Sequence, residues 1–492
     1  MTCWLCGFET TELVTNANIP ACKNGPCQIC IEVANIDEEI NHAVAALQRL
    51  VTKRCDLRSQ QNRAHDPMHR LPVELKNYIF ELVLPTQDEW DNIIQPRNTV
   101  MPSCLTSICR SWRDIAWSNP LLWSTIRIVV GRVSISGPSS RIDFVRDWIM
   151  RSRTLPLTFY IVAHSTEGVE EELKGVFDAI SQCSNRWDSI SLNTPFGLLR
   201  DFHCSDFQCH RLRVLRIITG QFRWEGDIGQ HMPLFNSQVN PEEVEIDGLS
   251  FRSLQISWNR LSAAKVTSFN FEEIAQLFQH APQMTSCHIF HPRRARNFSM
   301  PHIIHQSLKA LTLCGVSDPD VAAMLLVSFT LSHLQELRID EMVLLAPAYL
   351  PALVHRSSCP LTRITFFGDN INILPEHFNW HDLQPLPGVT DLVLESVDRR
   401  YVVDFRLLEG YFPDLRHLTL RLEPFLTLWN VGIISRLLDR KQLQPNAPNE
   451  GGLCKILVID QAAEFHDMWN SDVRKQLKTL NISLREDGFE FL

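Results

Sequence analysis

The feature that most limits what this chain can fold into is a short apolar template that recurs through its second half and beyond. The template places apolar residues at its first, fourth and sixth positions. It is met at Trp187/Ile190/Leu192, Leu212/Leu215/Ile217, Phe251/Leu254/Ile256, Met284/Cys287/Ile289 and Leu308/Leu311/Leu313. It is met again at Leu334/Leu337/Ile339, Leu361/Ile364/Phe366, Val389/Leu392/Leu394, Leu415/Leu418/Leu420 and Leu453/Ile456/Val458. Successive copies lie 25, 39, 33, 24, 26, 27, 28, 26 and 38 residues apart, so six of the nine offsets fall between 24 and 28. The fourth and sixth positions share one face of a strand. A unit of this size cannot bury that face alone and must stack on its neighbours.

Between the templates lie helical stretches such as Phe271–Gln279 and Val321–Phe329, so each unit reads strand, turn, helix. The expected fold class is α/β: a small helical unit followed by an irregular leucine-rich repeat solenoid of parallel strands and helices over 150–492. The Asn that usually follows such a template is missing. A doubly wound α/β domain is the bland alternative, and the absence of a Gly-rich phosphate loop counts against it. The 492 residues are 45% hydrophobic and 21% charged, ample for a core. A net charge of −9 argues against a protein held on nucleic acid by its charge. The apolar run Val321–Phe329 is too short to span a bilayer, and MTCWLCGFETTELV lacks the basic-then-apolar pattern of a secretory signal. These features point to a soluble intracellular protein without membrane or nucleic-acid partners, its cysteines reduced.

Upstream, residues 1–36 form a Cys-rich segment, and residues 37–67 an amphipathic helix. Asp37 can cap it, Glu38 and Glu39 suit its positive end, and Ile40, Val44, Leu47 and Val51 mark one face interrupted by Arg54. A connecting helix packed on its neighbour and a self-associating helix both fit that pattern. In the unit 68–128, Leu75, Ile79, Leu82 and Val83 form a stripe after Leu71-Pro72, with Phe80 and Leu84 beside it, and Pro85 ends the run. Residues 86–101 read as a loop. Leu105, Ile108, Cys109, Trp112, Ile115 and Ala116 read as one buried helix face, and Leu121-Leu122-Trp123 leads into a strand over Ile126–Val130.

The string Leu71-Pro72-x-Glu74-Leu75, then Cys109-x2-Trp112-Arg113, then Pro120-x-Leu122-Trp123 resembles an F-box of the type common in mushroom-forming fungi. The downstream phrase Trp148-x2-Arg151-Ser152-x3-Pro156-Leu157 is similar to that family as well. The resemblance implies docking onto the Skp adaptor, and through it the cullin, of an SCF-type ubiquitin ligase. The repeats would then hold an unidentified protein substrate. The adaptor-binding residues it implies are Leu71, Pro72, Leu75, Ile79, Phe80, Leu105, Ile108, Trp112, Leu122 and Trp123. Ile108 and Trp112 are expected to be core as well. Such a receptor is not an enzyme, since ubiquitin transfer takes place on other subunits. A non-ligase repeat scaffold for protein–protein interaction is the alternative. Outward positions on the strands (Arg213, Arg216, Gln335, Arg338, Arg363 and Arg416) would face the target, and their arginines suggest an acidic or phosphorylated one.

Cys3-x2-Cys6 and Cys27-x2-Cys30, with Cys22 nearby, stand out because five of the 15 cysteines fall in the first 30 residues. A structural tetrathiolate zinc site and free thiols both fit, and no cofactor is otherwise required. His203-Cys204-x4-Cys209-His210, His302 with His305, and Arg293-Arg294-Ala295-Arg296 read as repeat filler, core-edge histidines and a solvated loop. The chain has no GxxxxGK[ST], GxGxxG, HExxH or GxSxG motif.

Overall fold

The computed structural model describes residues 28–65, 67–85, 102–131, 138–163, 169–202, 209–219, 234–235, 239–294, 300–316, 318–340, 349–367, 385–397, 411–422, 455–460, 482–486 and 489–491. The chain divides into two compact units. Met1–Ile126 with Arg146–Leu155 forms one, and Arg127–Val145 with Pro156–Leu492 the other.

The first unit is helical. A long helix, Gln28–His65, is followed by a turn at Pro67–Arg70, helices Val73–Leu82, Pro102–Ile108 and Arg110–Ser118, and a 3-10 turn at Pro120–Trp123. The long helix begins nine residues before the expected Asp37, which is interior and caps nothing. Ile29, Val33 and Ile36 continue its apolar spacing upstream, which explains the earlier start. The expected single face from Leu105 to Ala116 is broken in two at Cys109, whose backbone is extended (φ −156°, ψ 170°). Its Sγ accepts the Trp112 N–H at 3.4 Å, so the thiol caps the second helix. That break turns Ile108 outward to 55% exposure, while Leu105 and Ala116 stay in the core. Asn119 ends the second helix. Its Oδ1 accepts the Leu121 N–H at 3.1 Å, and its Nδ2 donates to Glu81 at 2.9 Å.

The second unit is α/β. Among the described residues, fifteen strands form one sheet whose spatial order is their order along the chain, from Thr125–Val130 to Phe489–Phe491. Each neighbouring pair from Leu157–Ala163 to Ile482–Glu486 is parallel, and the last strand, Phe489–Phe491, pairs antiparallel with Ile482–Glu486. Nine of the ten templates fall in this ladder in common register. Ile190 aligns with Leu215, Cys287 with Leu311, Leu311 with Leu337, Leu337 with Ile364, Ile364 with Leu392, Leu392 with Leu418, and Leu418 with Ile456. Among the described side chains of these templates, Leu215, Cys287, Ile364, Leu392 and Leu418 are fully buried.

Phe251/Leu254/Ile256 is the exception. Phe251–Ser253 is a 3-10 turn, and the strands in this region are Glu243–Asp247 and Ala263–Thr267. Leu215 aligns with Val244, Val244 with Ala264, and Ala264 with Cys287. The turn yields the same apolar spacing because its side chains also point inward. Phe251 stacks on Trp258 at 4.7 Å, and its N–H donates to Glu273 Oε1 at 2.9 Å. Glu273 belongs to a capping box with Asn270 that starts helix Phe271–His280. Only some connections are helical: Pro138–Arg151, Glu170–Ser181, Phe271–His280, Pro319–Ser328 and Tyr349–Ser357 among the described residues.

Outside the strands, one backbone bond repeats from unit to unit. The N–H just before each strand donates to the carbonyl at the equivalent place one unit earlier: Arg213 to Asp188, Glu242 to Arg213, Ser262 to Glu242, Thr285 to Ser262, and Lys309 to Thr285. The series continues with Gln335 to Lys309, Thr362 to Gln335, Thr390 to Thr362 and Arg416 to Thr390, all at 2.8–2.9 Å. At the far end of five strands the next residue adopts positive φ: Gly131, Gly248, Ser268, His291 and Gly315. A side chain on Gly315 would run into the His291 ring, its Cβ only 2.1 Å from Nδ1.

Leu337→Ala, in the middle of the ladder, is expected to lower the unfolding free energy by about 2–5 kcal/mol. Lys309→Ala, exposed beside it, should change stability by no more than about 0.5 kcal/mol. Urea midpoints of the two variants check this.

Candidate functional site

Two surfaces carry features that a fold alone does not need. The first is the outer side of helix Val73–Leu82. Leu75, Tyr78 and Leu82 are exposed and Ile79 is half-buried, which is one helical stripe at i, i+3, i+4 and i+7. Val73 before it is also exposed. The inner side is occupied: the Phe80 ring lies 5.0 Å from Trp112, and Glu81 accepts from Asn119. A helix this short with apolar residues on both sides leaves one side wet.

The ten expected adaptor-binding residues divide by burial. Leu75, Pro72 and Ile108 are exposed, while Leu71, Ile79 and Trp112 are half-buried. Phe80, Leu105, Leu122 and Trp123 are buried. These four fill the core of the unit. Trp123 packs edge-on against Trp148 at 4.9 Å, and its Nε1–H donates to the Ala116 carbonyl at 2.7 Å. The Arg151 guanidinium lies 5.0 Å from the Trp123 ring and 4.6 Å from the Trp117 ring. The two phrases Pro120-x-Leu122-Trp123 and Trp148-x2-Arg151 are thus brought together as a packing device. Val73 and Tyr78 were not expected at the surface patch. The i+3 spacing of Tyr78 from Leu75 was the available signal.

The second surface is the outward row of the sheet, and it is charge-compensated. Arg213 makes a two-point pair with Asp188 at 2.7 and 2.8 Å. Glu245 sits between Arg216 (3.6 Å) and Lys265 (2.6 Å). Arg338 pairs with Glu395 and lies over the Phe367 ring at 4.6 Å. Arg363 lies between Glu336 (3.5 Å) and Asp391 (3.6 Å), and His417 reaches Asp391 at 3.3 Å. Gln335 and Arg416 are exposed. The expected arginine-rich face is therefore a mosaic of both signs, and the argument for an acidic or phosphorylated target loses its footing. Glu245 and Lys265 were missed because their strands did not match the template. Burial and the neighbouring Glu245 push the Asp247 carboxyl up, while burial together with Lys265 and Arg338 pushes the His288 imidazole down.

The remaining motifs are structural where they are described. His305 is buried. Its Nδ1 accepts the Leu308 N–H at 3.1 Å, so its Nε2–H donates to the Ala281 carbonyl at 3.0 Å. His302 bonds Thr330 at 3.1 Å. The Arg293 N–H donates to the Phe269 carbonyl at 2.9 Å, which makes its backbone part of the repeat. Burial pushes the Cys209 thiol up to about 12 and the Cys183 thiol up to about 11. His203 and Cys204 lie outside the described residues, as do Cys3, Cys6, Cys22, Cys27 and the side chain of Cys30. Among the described residues there is no cluster of three or more His, Cys, Asp or Glu able to hold a metal ion, and no helix is long and apolar enough to cross a membrane. No protein-family model matches the chain, and no curated protein is significantly similar to it.

Two outcomes follow. Burial lowers the His305 pKa from the ordinary 6.5, so its contribution to stability is full above that value and is lost as pH falls through it. The wild type should lose stability as pH falls below about 6.5, and His305→Gln should flatten that slope in pH-dependent urea unfolding. Among the described cysteines, the exposed Cys55 and Cys104 should alkylate in the native state, while Cys183, Cys209 and Cys287 stay protected until unfolding. Peptide mapping after iodoacetamide treatment reads both sets.

Proposed function

We propose that the chain is a substrate-recognition subunit of an SCF-type cullin–RING ubiquitin ligase. In this reading the first unit is an F-box that docks on the Skp adaptor, and the parallel sheet is an irregular leucine-rich repeat solenoid that holds a target protein. The observation that carries it is the wet apolar stripe Leu75, Tyr78, Ile79 and Leu82 on a small unit whose own core is already filled by Phe80, Leu105, Leu122 and Trp123. Burying three to four such side chains would yield roughly 6–8 kcal/mol gross. Association and ordering cost at least about 4 kcal/mol of that, so stable docking needs contributions from Leu71, Pro72 and Val73 as well. The receptor performs no chemistry; it holds a target near the charged ubiquitin-conjugating enzyme, and proximity does the rest. Such a receptor works inside the cell without a metal or cofactor of its own.

Sequential stacking of the strands supports the repeat reading, because an array exposes one row of variable side chains per unit. The compensated charges along that row suit a target of mixed polarity, for which position and not net charge gives selectivity.

The intact chain should co-purify stoichiometrically with the Skp adaptor, and Leu75→Asp with Leu82→Asp should lose it. Both positions are exposed, so the fold and its urea transition should survive. If the intact chain forms no complex, the ligase reading fails and a plain repeat scaffold replaces it.

A further inference from the structure

Helix Gln28–His65 is 38 residues long, and nearly every described side chain on it is exposed. A helix of ordinary composition that long gains its stability from packing an apolar face, so one lying wholly in water is missing a partner. Its apolar residues have a period of 3.5, not the 3.6 of a helix lying on a globular core. Ile29, Val33, Ile36, Ile40, Ala43, Leu47, Leu50, Arg54 and Leu57 alternate at spacings of four and three, and Val44 and Val51 flank this seam. The large apolar members are 36–71% exposed. The seam runs for about 42 Å.

The charges along the helix are strongly asymmetric. From Gln28 to Ala45 the sequence has Glu32, Asp37, Glu38 and Glu39 and no Lys or Arg. From Ala46 to Gln61 it has Arg49, Lys53, Arg54 and Arg58 against the single Asp56. Two copies side by side in parallel would set acid against acid, base against base, and Arg54 against Arg54 in the seam. Antiparallel pairing reverses every one of these contacts.

We propose that this helix pairs with the same helix of a second copy of the chain as an antiparallel two-stranded coiled coil. The register that pairs the seam from Val33 to Leu57 sets Val33 against Leu57 of the second copy, Ile40 against Leu50 and Ala43 against Leu47, and leaves Ile29 opposite Gln61. Glu39 then meets Lys53 of the second copy on both sides of the dyad, and Arg54 lies opposite Ile36, beside the acidic run Asp37–Glu39. The seam polar residue thereby gains opposite charges in this orientation alone, and so it sets orientation as well as register. The inference does not rest on adaptor docking, since it uses none of the residues of helix Val73–Leu82.

Sedimentation equilibrium of the full chain over about 1–50 μM tests the proposal. A dimer is expected, and Leu47→Asp with Leu50→Asp should convert it to a monomer while the urea transition of the sheet unit stays unchanged. Lys53→Glu alone or Glu39→Lys alone should weaken dimerisation by about tenfold, since each turns two attractive contacts repulsive. Glu39→Lys combined with Lys53→Glu should restore it, because the pair is swapped and not removed. A monomer throughout the range, a dimer that survives the seam substitutions, or a double charge variant no tighter than the singles would each overturn the proposal.

Discussion

The sheet unit depends on one backbone bond repeated at nine successive steps from Asp188 to Arg416, from the N–H at the start of a strand to the carbonyl at the start of the previous one. This bond and the parallel ladder beside it fix one short stretch of each unit and leave the rest free. The register-equivalent residues Leu215, Val244, Ala264, Cys287, Leu311, Leu337, Ile364, Leu392, Leu418 and Ile456 are separated by as few as 20 and as many as 38 residues. Such variation is tolerated because loop closure costs only about 0.6 kcal/mol per doubling of length. Connections can therefore be a helix, as at Phe271–His280, or a 3-10 turn, as at Phe251–Ser253, provided that each returns the chain to the ladder.

The same economy governs the side chains. The described inward positions from Ile190 to Leu418 are apolar, and several outward positions are joined by ion pairs that cross from strand to strand. Glu336, Arg363, Asp391 and His417 form one such row and Arg216, Glu245 and Lys265 another. Parallel in-register strands put like positions next to each other about 4.8 Å apart, so a row of unmixed sign would repel itself. The helical unit follows the opposite rule. Its small core is closed by Phe80, Leu122, Trp123 and Trp148, and the apolar residues left over on Val73–Leu82 and Gln28–His65 stay in water.

Much of this was legible in the residues. Nine of ten templates predicted strand register correctly, because an i, i+2 apolar pair preceded by a third apolar anchor is what a one-sided strand requires. The failures have physical causes. Phe251/Leu254/Ile256 imitates the template because a 3-10 turn also sends residues three apart to one side. Ala264 hid a strand because its short side chain carries little hydrophobic signal. Cys109 broke a helix that periodicity alone joined, since a capping bond to Trp112 is a local choice invisible to spacing. Leu122 and Trp123 look like docking residues in the string, yet Trp148 and Arg151, more than twenty residues downstream, complete a core around Trp123.

By itself the sequence determined the repeat, the face of each strand that is buried, and the apolar seam of the first helix, because all three are periodicities of single elements. The tertiary structure alone decided which apolar residues remain in water and whether the outward arginines stand alone or in pairs. Burial and charge compensation are properties of neighbours in space, and the carboxylates that compensate these arginines come from the next strand or the one beyond it, some 25 to 57 residues away along the chain.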